Sequence, residues 1–105
     1  MTDFEQQVLQ RIKEVVKSIE PTAEVILFGS RSRGEANETS DFDFLILTEQ
    51  EVTMSYEMHF QELIYDIELE MDTLIEAFLF SKHEWELGAT PSPMIERIRE
   101  EGVMV

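Results

Sequence analysis

Residues 29 to 43 read Gly-Ser-Arg-Ser-Arg-Gly-Glu-Ala-Asn-Glu-Thr-Ser-Asp-Phe-Asp, so G-S-x-x-R-G is followed, after five intervening residues, by S-D-x-D. Each of these residue types suits the handling of a phosphorylated ligand. Gly29 has no Cβ, so the backbone there can turn sharply and approach a ligand closely. Ser30 stands where a helix can begin, offering a hydroxyl and free N–H groups to a phosphate. Arg33 adds a cation beside it, and Gly34 lets the chain leave. Asp41 and Asp43 lie two apart in an apolar run that reads as a strand, so both project from one face with Cα atoms about 6.5–7 Å apart. Two carboxylates so close resist joint ionisation until a divalent cation such as Mg²⁺ stands between them. A cation held there clamps phosphoryl oxygens and stabilises both the attacking and the leaving group. A phosphate-gripping turn beside a metal-gripping strand is what nucleotidyl transfer requires.

The elements that must carry these residues follow from periodicity. Phe4, Val8, Ile12, Val15, Val16 and Ile19 recur at spacings of three and four, predicting a helix from Thr2 to Glu20 with a Thr2/Glu5 capping box and a stop at Pro21. Glu24 to Phe28 predicts a buried strand ended by Gly29, and Asp41 to Leu47 a second one that starts acidic and becomes apolar on both faces. Met54, Met58, Phe60, Ile64, Ile67 and Met71 suggest a second helix, with its methionines in the core. Thr73 to Phe80 reads as a third strand. Ser81 with Glu84 caps a short helix carrying Trp85 at the edge of the core, residues 88 to 91 form a loop, and Ser92-Pro93 opens a last helix closed by Gly102. The expected fold is therefore α/β (α+β), a small mixed sheet of three to four strands with helices packed on it.

The composition bounds the function. A chain of 105 residues with 43% apolar content allows one domain, residues 1–105, with a single core. Its 23 acidic against 8 basic side chains give a net charge of −15, a repulsive field that argues against direct DNA or RNA binding and for a basic protein partner. With no cysteine, no signal-like N-terminus and no apolar run of membrane-spanning length, the expectation is a cytoplasmic protein without a membrane partner.

Gly29, Ser30, Arg33, Gly34, Ser40, Asp41 and Asp43 together resemble the signature of the polymerase-beta-type nucleotidyltransferase superfamily. The short chain is similar to its minimal nucleotidyltransferases, the MNT proteins often encoded beside a helical HEPN protein, and the Trp85 and Glu101-Gly102 segments fit them too. The resemblance implies a polymerase-beta-like fold and Mg²⁺-dependent transfer of AMP from ATP to an acceptor hydroxyl, with pyrophosphate leaving. Gly29, Ser30, Arg33 and Ser40 would bind nucleotide, while Asp41 and Asp43 would hold the metal. It further implies an antitoxin that places AMP on a tyrosine of a HEPN toxin, within a homo- or hetero-oligomer. The family's third carboxylate, a metal ligand or base, falls here on Glu76, inside the apolar run Leu74 to Phe80 where an uncompensated charge is costly. Asp72, at the start of that strand, is the rival.

Plainer readings stand beside these. The segment from Gly29 to Gly34 can be a flexible loop, and Asp41 with Asp43 an exposed strand edge in an acidic protein. Arg33 can equally make a salt bridge to Asp41 or Asp43. Arg31, His59 and His83 read as surface residues, since no His or Cys stands at metal-ligand spacing. A binding module that neutralises its partner by occlusion is the alternative function. An antibiotic-modifying nucleotidyltransferase is a weaker third reading, because 105 residues leave no room for a substrate domain.

Overall fold

The first helix, α1 (Asp3–Ile19), is started by a reciprocal cap: the Thr2 hydroxyl accepts from Glu5 N at 3.1 Å, and the Glu5 carboxylate accepts from Thr2 N at 2.9 Å. Its stripe of Val8, Ile12 and Val16 is buried, as the three-and-four spacing requires. In the computed structural model, which describes residues 1–88 and 92–105, α1 is followed by β1 (Glu24–Phe28), the one-turn helix α2 (Ser30–Arg33), β2 (Phe42–Thr48) and α3 (Met54–Met71). Then come β3 (Ile75–Ser81), α4 (Lys82–Leu87), α5 (Pro93–Glu101) and β4 (Val103–Met104).

The four strands form one mixed sheet in the order β3-β2-β1-β4, with β2 parallel to β3 and both other pairs antiparallel. Side chains alternate between faces along β1 and β2. Val25, Leu27, Phe42, Phe44 and Ile46 join α1 and the Phe60, Ile64 and Ile67 face of α3 in the larger core. Ile26, Phe28, Leu45 and Leu47 pack on the other face against Ile98 of α5, Phe80 and Trp85. Burial on both faces is why β1 and β2 read as continuous apolar runs. The α/β fold with a mixed sheet and the caps at Ser81 and Ser92 are as expected. No described helix is long and apolar enough to cross a membrane.

Four details differ from expectation. β2 starts at Phe42, leaving Asp41 just before the strand, and β3 runs Ile75–Ser81 rather than from Thr73. The chain adds β4, which pairs with β1 through Met104 opposite Ile26 and Val103 opposite Leu27. Two residues are too few for periodicity to register. Met54 and Met58 are not core: they are 80% and 55% exposed. They precede Phe60 by six and two residues, which at about 3.6 residues per turn turns them away from the face that Phe60 buries, while Met71 packs on the core edge. Of the loop expected at 88 to 91, residues 89–91 lie outside the described residues, and Gly88 is the left-handed cap of α4.

Candidate active site

The site is built where β1 ends. Gly29 has φ 79° and ψ −160°, and a Cβ added there would collide with Oδ2 of Asp43. A glycine is therefore required twice, by its backbone angle and by the carboxylate against it. The turn feeds directly into α2, whose Ser32 hydroxyl donates to Gly29 O at 2.7 Å and whose end is closed by Gly34 at φ 73°. The residues read as a possible loop thus form a fixed turn and one helical turn.

Strand register brings the acids together. Phe28 of β1 stands opposite Asp43 of β2, and Asp43 stands beside Glu76 of β3, one row across three strands. Burial, the charges of Glu76 and Asp41, and a hydrogen bond shared with Glu76 push the Asp43 carboxyl up to about 6, with a smaller opposing pull from Arg33. The Asp43 carboxyl thus resists ionisation beside its acidic neighbours, which is the condition a hard divalent cation relieves. Among the described residues no three His, Cys, Asp or Glu side chains converge as a ready metal cluster. The donor set fits a cation held by two protein carboxylates, with its other positions open to substrate or water.

Gly29, Ser30, Arg33, Asp43 and Glu76 line one cavity of about 590 Å³, together with Phe28, Phe78, Met94, Arg97 and Glu101. Other expected site residues lie outside its lining. Asp41 acts on Asp43 through its charge. Ser40 serves the preceding loop, its hydroxyl accepting from Asn37 N at 3.0 Å and its carbonyl from Arg31. Asp72 is the left-handed cap of α3 at φ 52° and lines a separate concavity with Tyr65, Leu69 and Leu74.

The two arginines of the motif diverge. Arg33 pairs with neither Asp41 nor Asp43; it donates to both oxygens of Glu101 at 3.1 Å and to Glu35 at 3.1 Å. Arg31, expected on the surface, is buried. Its guanidinium donates to Glu5 at 3.1 Å and to the carbonyls of Ser40 and Asn37, and lies 4.0 Å from the Phe42 ring centroid. The planar donor fork can satisfy several acceptors at once while stacking on a ring, so a buried arginine is accommodated there. It ties α1 to the loop before β2. His59 and His83 are exposed, as expected.

A nucleotidyltransferase domain family matches residues 9–103. The chain belongs to that family. A candidate protein adenylyltransferase of Methanocaldococcus jannaschii is 32% identical to this nucleotidyltransferase over 81 residues, which are 72% of this chain and 82% of the relative. Among solved structures, a candidate minimal nucleotidyltransferase is similar at TM-score 0.60 and 26% identity, covering 97% of this chain and 95% of its own. A toxin-antitoxin crystallised with AMP-PNP aligns at TM-score 0.67 and 18% identity over 90% of this chain and 69% of that one. A mutant MntA-HpeT toxin-antitoxin aligns at 0.65 and 17% over 92% and 70%. At those identities the last two establish likeness of fold.

For a nucleotidyltransferase the cavity contains residues that the motif did not indicate. Glu101 is the main one: its Oε1 accepts from Gly29 N at 3.3 Å as well as from Arg33. It stands 72 residues from Gly29 in the chain, and nothing in local spacing connects the two. Phe28 and Phe78, with ring centroids 6.4 Å apart, supply apolar wall to the same cavity. Phe28 is legible as the last residue of a buried strand, whereas Phe78 lies unmarked within the apolar run of the third strand and is 40% exposed.

Proposed function

We propose that this nucleotidyltransferase is a cytoplasmic antitoxin that transfers AMP from Mg²⁺-bound ATP to a tyrosine hydroxyl of a helical HEPN toxin, residues 1–105 acting as a minimal catalytic domain. The observation that carries the reading is the Asp43–Glu76 pair facing the Gly29 turn and Arg33 across one cavity. The likeness to a candidate protein adenylyltransferase supports a protein acceptor, and the likeness in fold to toxin-antitoxin structures, one holding an ATP analogue, supports the partner and the nucleotide. The net charge of −15 favours a basic partner surface.

In this mechanism the Gly29 N–H, Ser30 and Arg33 bind the triphosphate, and Asp43 with Glu76 would hold the metal, with Asp41 adding negative charge beside them. Ser40 supports the geometry through the loop it closes. Magnesium, when bound, neutralises phosphoryl oxygens and favours departure of pyrophosphate. The acceptor oxygen attacks the α-phosphorus, the new O–P bond replaces the bond to the β-phosphate bridging oxygen, and the hydroxyl proton passes to a carboxylate. Glu76 is suited to that proton because its side chain is exposed at the sheet surface, open to a macromolecular acceptor.

The test is mass spectrometry of the HEPN partner after incubation with this chain, ATP and Mg²⁺, beside the Asp41→Asn/Asp43→Asn double variant. The expected result is a gain of one or more AMP masses on tyrosine that the variant does not produce. An unmodified partner in a stable complex would overturn the transfer reading in favour of occlusion.

A further inference from the structure

Glu101 occupies the position where the triphosphate reading needs a phosphate. Its carboxylate accepts from Gly29 N at 3.3 Å, the backbone donor exposed by the turn, and from Arg33 Nη1 at 3.1 Å through both oxygens. A carboxylate and a phosphate oxygen satisfy such donors in the same way, so the two compete for one seat. The side chain comes from the end of α5, and its backbone cannot withdraw. Gly102 N donates to Ile98 O at 2.8 Å, and a Cβ at Gly102 would come within 2.5 Å of Ile98 O and 2.6 Å of Ile26 Cγ2. Val103 then pairs with Leu27 on β1. The carboxylate can nonetheless leave by rotating about its own side-chain bonds, since it is the side chain, not the α5 backbone, that accepts from Gly29 N and Arg33.

We infer that Glu101 is an affinity-determining residue of this nucleotidyltransferase: an internal anion that holds the Gly29 turn and Arg33 in the empty enzyme and must be displaced by the nucleotide phosphates. This rests on the nucleotide reading above and adds to it. Glu101 lowers affinity for the triphosphate twice, by occupying its donors and by adding a negative charge to a cavity that already holds Asp43 and Glu76. It also keeps the turn formed and the arginine oriented before substrate arrives, so that binding exchanges one anion for another with little backbone rearrangement.

The experiment is calorimetric titration of the full chain and of Glu101→Gln with three probes: ATP with Mg²⁺, inorganic tripolyphosphate with Mg²⁺, and adenosine. Glutamine keeps the acceptor for Gly29 N–H and removes the charge. ATP and tripolyphosphate are expected to bind Glu101→Gln about three- to tenfold more tightly, the scale of a partly exposed ion pair, with adenosine unchanged. A general loosening of the fold would not separate phosphate from nucleoside in this way. Should Glu101→Gln melt below the assay temperature, Glu101→Asp, which retains the charge but withdraws it by one methylene, is expected to show a smaller gain in the same direction. Wild-type binding of ATP that either folded variant fails to improve overturns the role of Glu101 alone. Failure of every protein to bind both ATP and tripolyphosphate overturns this inference together with the nucleotide reading.

Discussion

An acid sits at each end of β2, Asp43 on the strand itself and Glu20 from the end of α1, and the two are treated in opposite ways. Beyond its Thr48 end, the buried carboxylate of Glu20 accepts from the hydroxyls of Thr48, Tyr56 and Thr22 and from Glu49 N. Burial pushes the Glu20 carboxyl up, but these donors outweigh it and hold the group below the usual carboxylate range. The phenol that donates to it is in turn pushed up to about 12 by burial and by Glu20. At the other end, Asp43 meets Glu76, Asp41 and the backbone of Gly29, and its carboxyl is pushed up. Burial pushes both carboxyls up, so burial alone does not set the opposite outcomes. The difference lies in the partners, donors around Glu20 and acids around Asp43. A carboxylate surrounded by donors is a structural joint, whereas one left among other acids has free lone pairs for a metal or a proton.

The largest expected effect breaks the comparison on the functional side. Asp43→Asn should reduce AMP transfer by roughly a thousandfold, whereas Glu20→Ala should leave transfer per folded molecule within about twofold, measured by radiolabel transfer at a temperature where both are folded. Comparable losses in both variants would erase the distinction. Next in size, Glu20→Ala should cost about 2–3 kcal/mol in urea unfolding, because the Thr48 hydroxyl and Glu49 N–H lose their acceptor in a buried place. The smallest effect has the opposite sign. Asp43→Asn should raise stability at pH 7 by about 1 kcal/mol once screening is allowed for, or roughly 5 °C in melting temperature.

Their pH dependence sharpens the contrast. With its folded-state value raised from 3.8 to about 6, Asp43 binds more protons in the folded chain than in the unfolded one across that window. Its contribution therefore falls as pH rises through the window, and the Asp43→Asn gain should vanish below the unfolded value. Glu20, with a lowered value, stabilises fully above its ordinary 4.5 and loses that contribution as pH falls through its folded value, so the Glu20→Ala deficit should shrink only in acid. Melting curves from about pH 2 to 8 check both slopes. Parallel slopes for the two variants would show that the acids are not differently partnered.

Much of this frame was readable along the chain. The Thr2/Glu5 box, the limits of β1 and the caps at Ser81 and Ser92 depend on residues within four positions of each other. The Gly29 turn was readable for the same reason. Arg31 was not: its burial depends on Glu5, Asn37, Ser40 and Phe42, which come from three separate segments. A polar residue in a polar stretch carries no mark of the pocket that receives it. Met54 and Met58 fit the helical spacing of α3, yet which arc of that helix is covered is set by α1 and the sheet.

The sequence by itself determined the longer helices, the three main strands, the turn at Gly29 and the acids at the start of β2, because caps, periodicity and glycine angles act over a few residues. Only the tertiary structure decided which acids meet. Parallel pairing of β3 on β2 sets Glu76 beside Asp43, while the helical ending of Asp72 sends it to another surface. Pairing of β4 on β1 brings Glu101 to Gly29 across 72 residues. Such contacts follow from strand order and register, which are chosen by burial of the whole sheet on both faces and leave no periodic trace in the residues that meet.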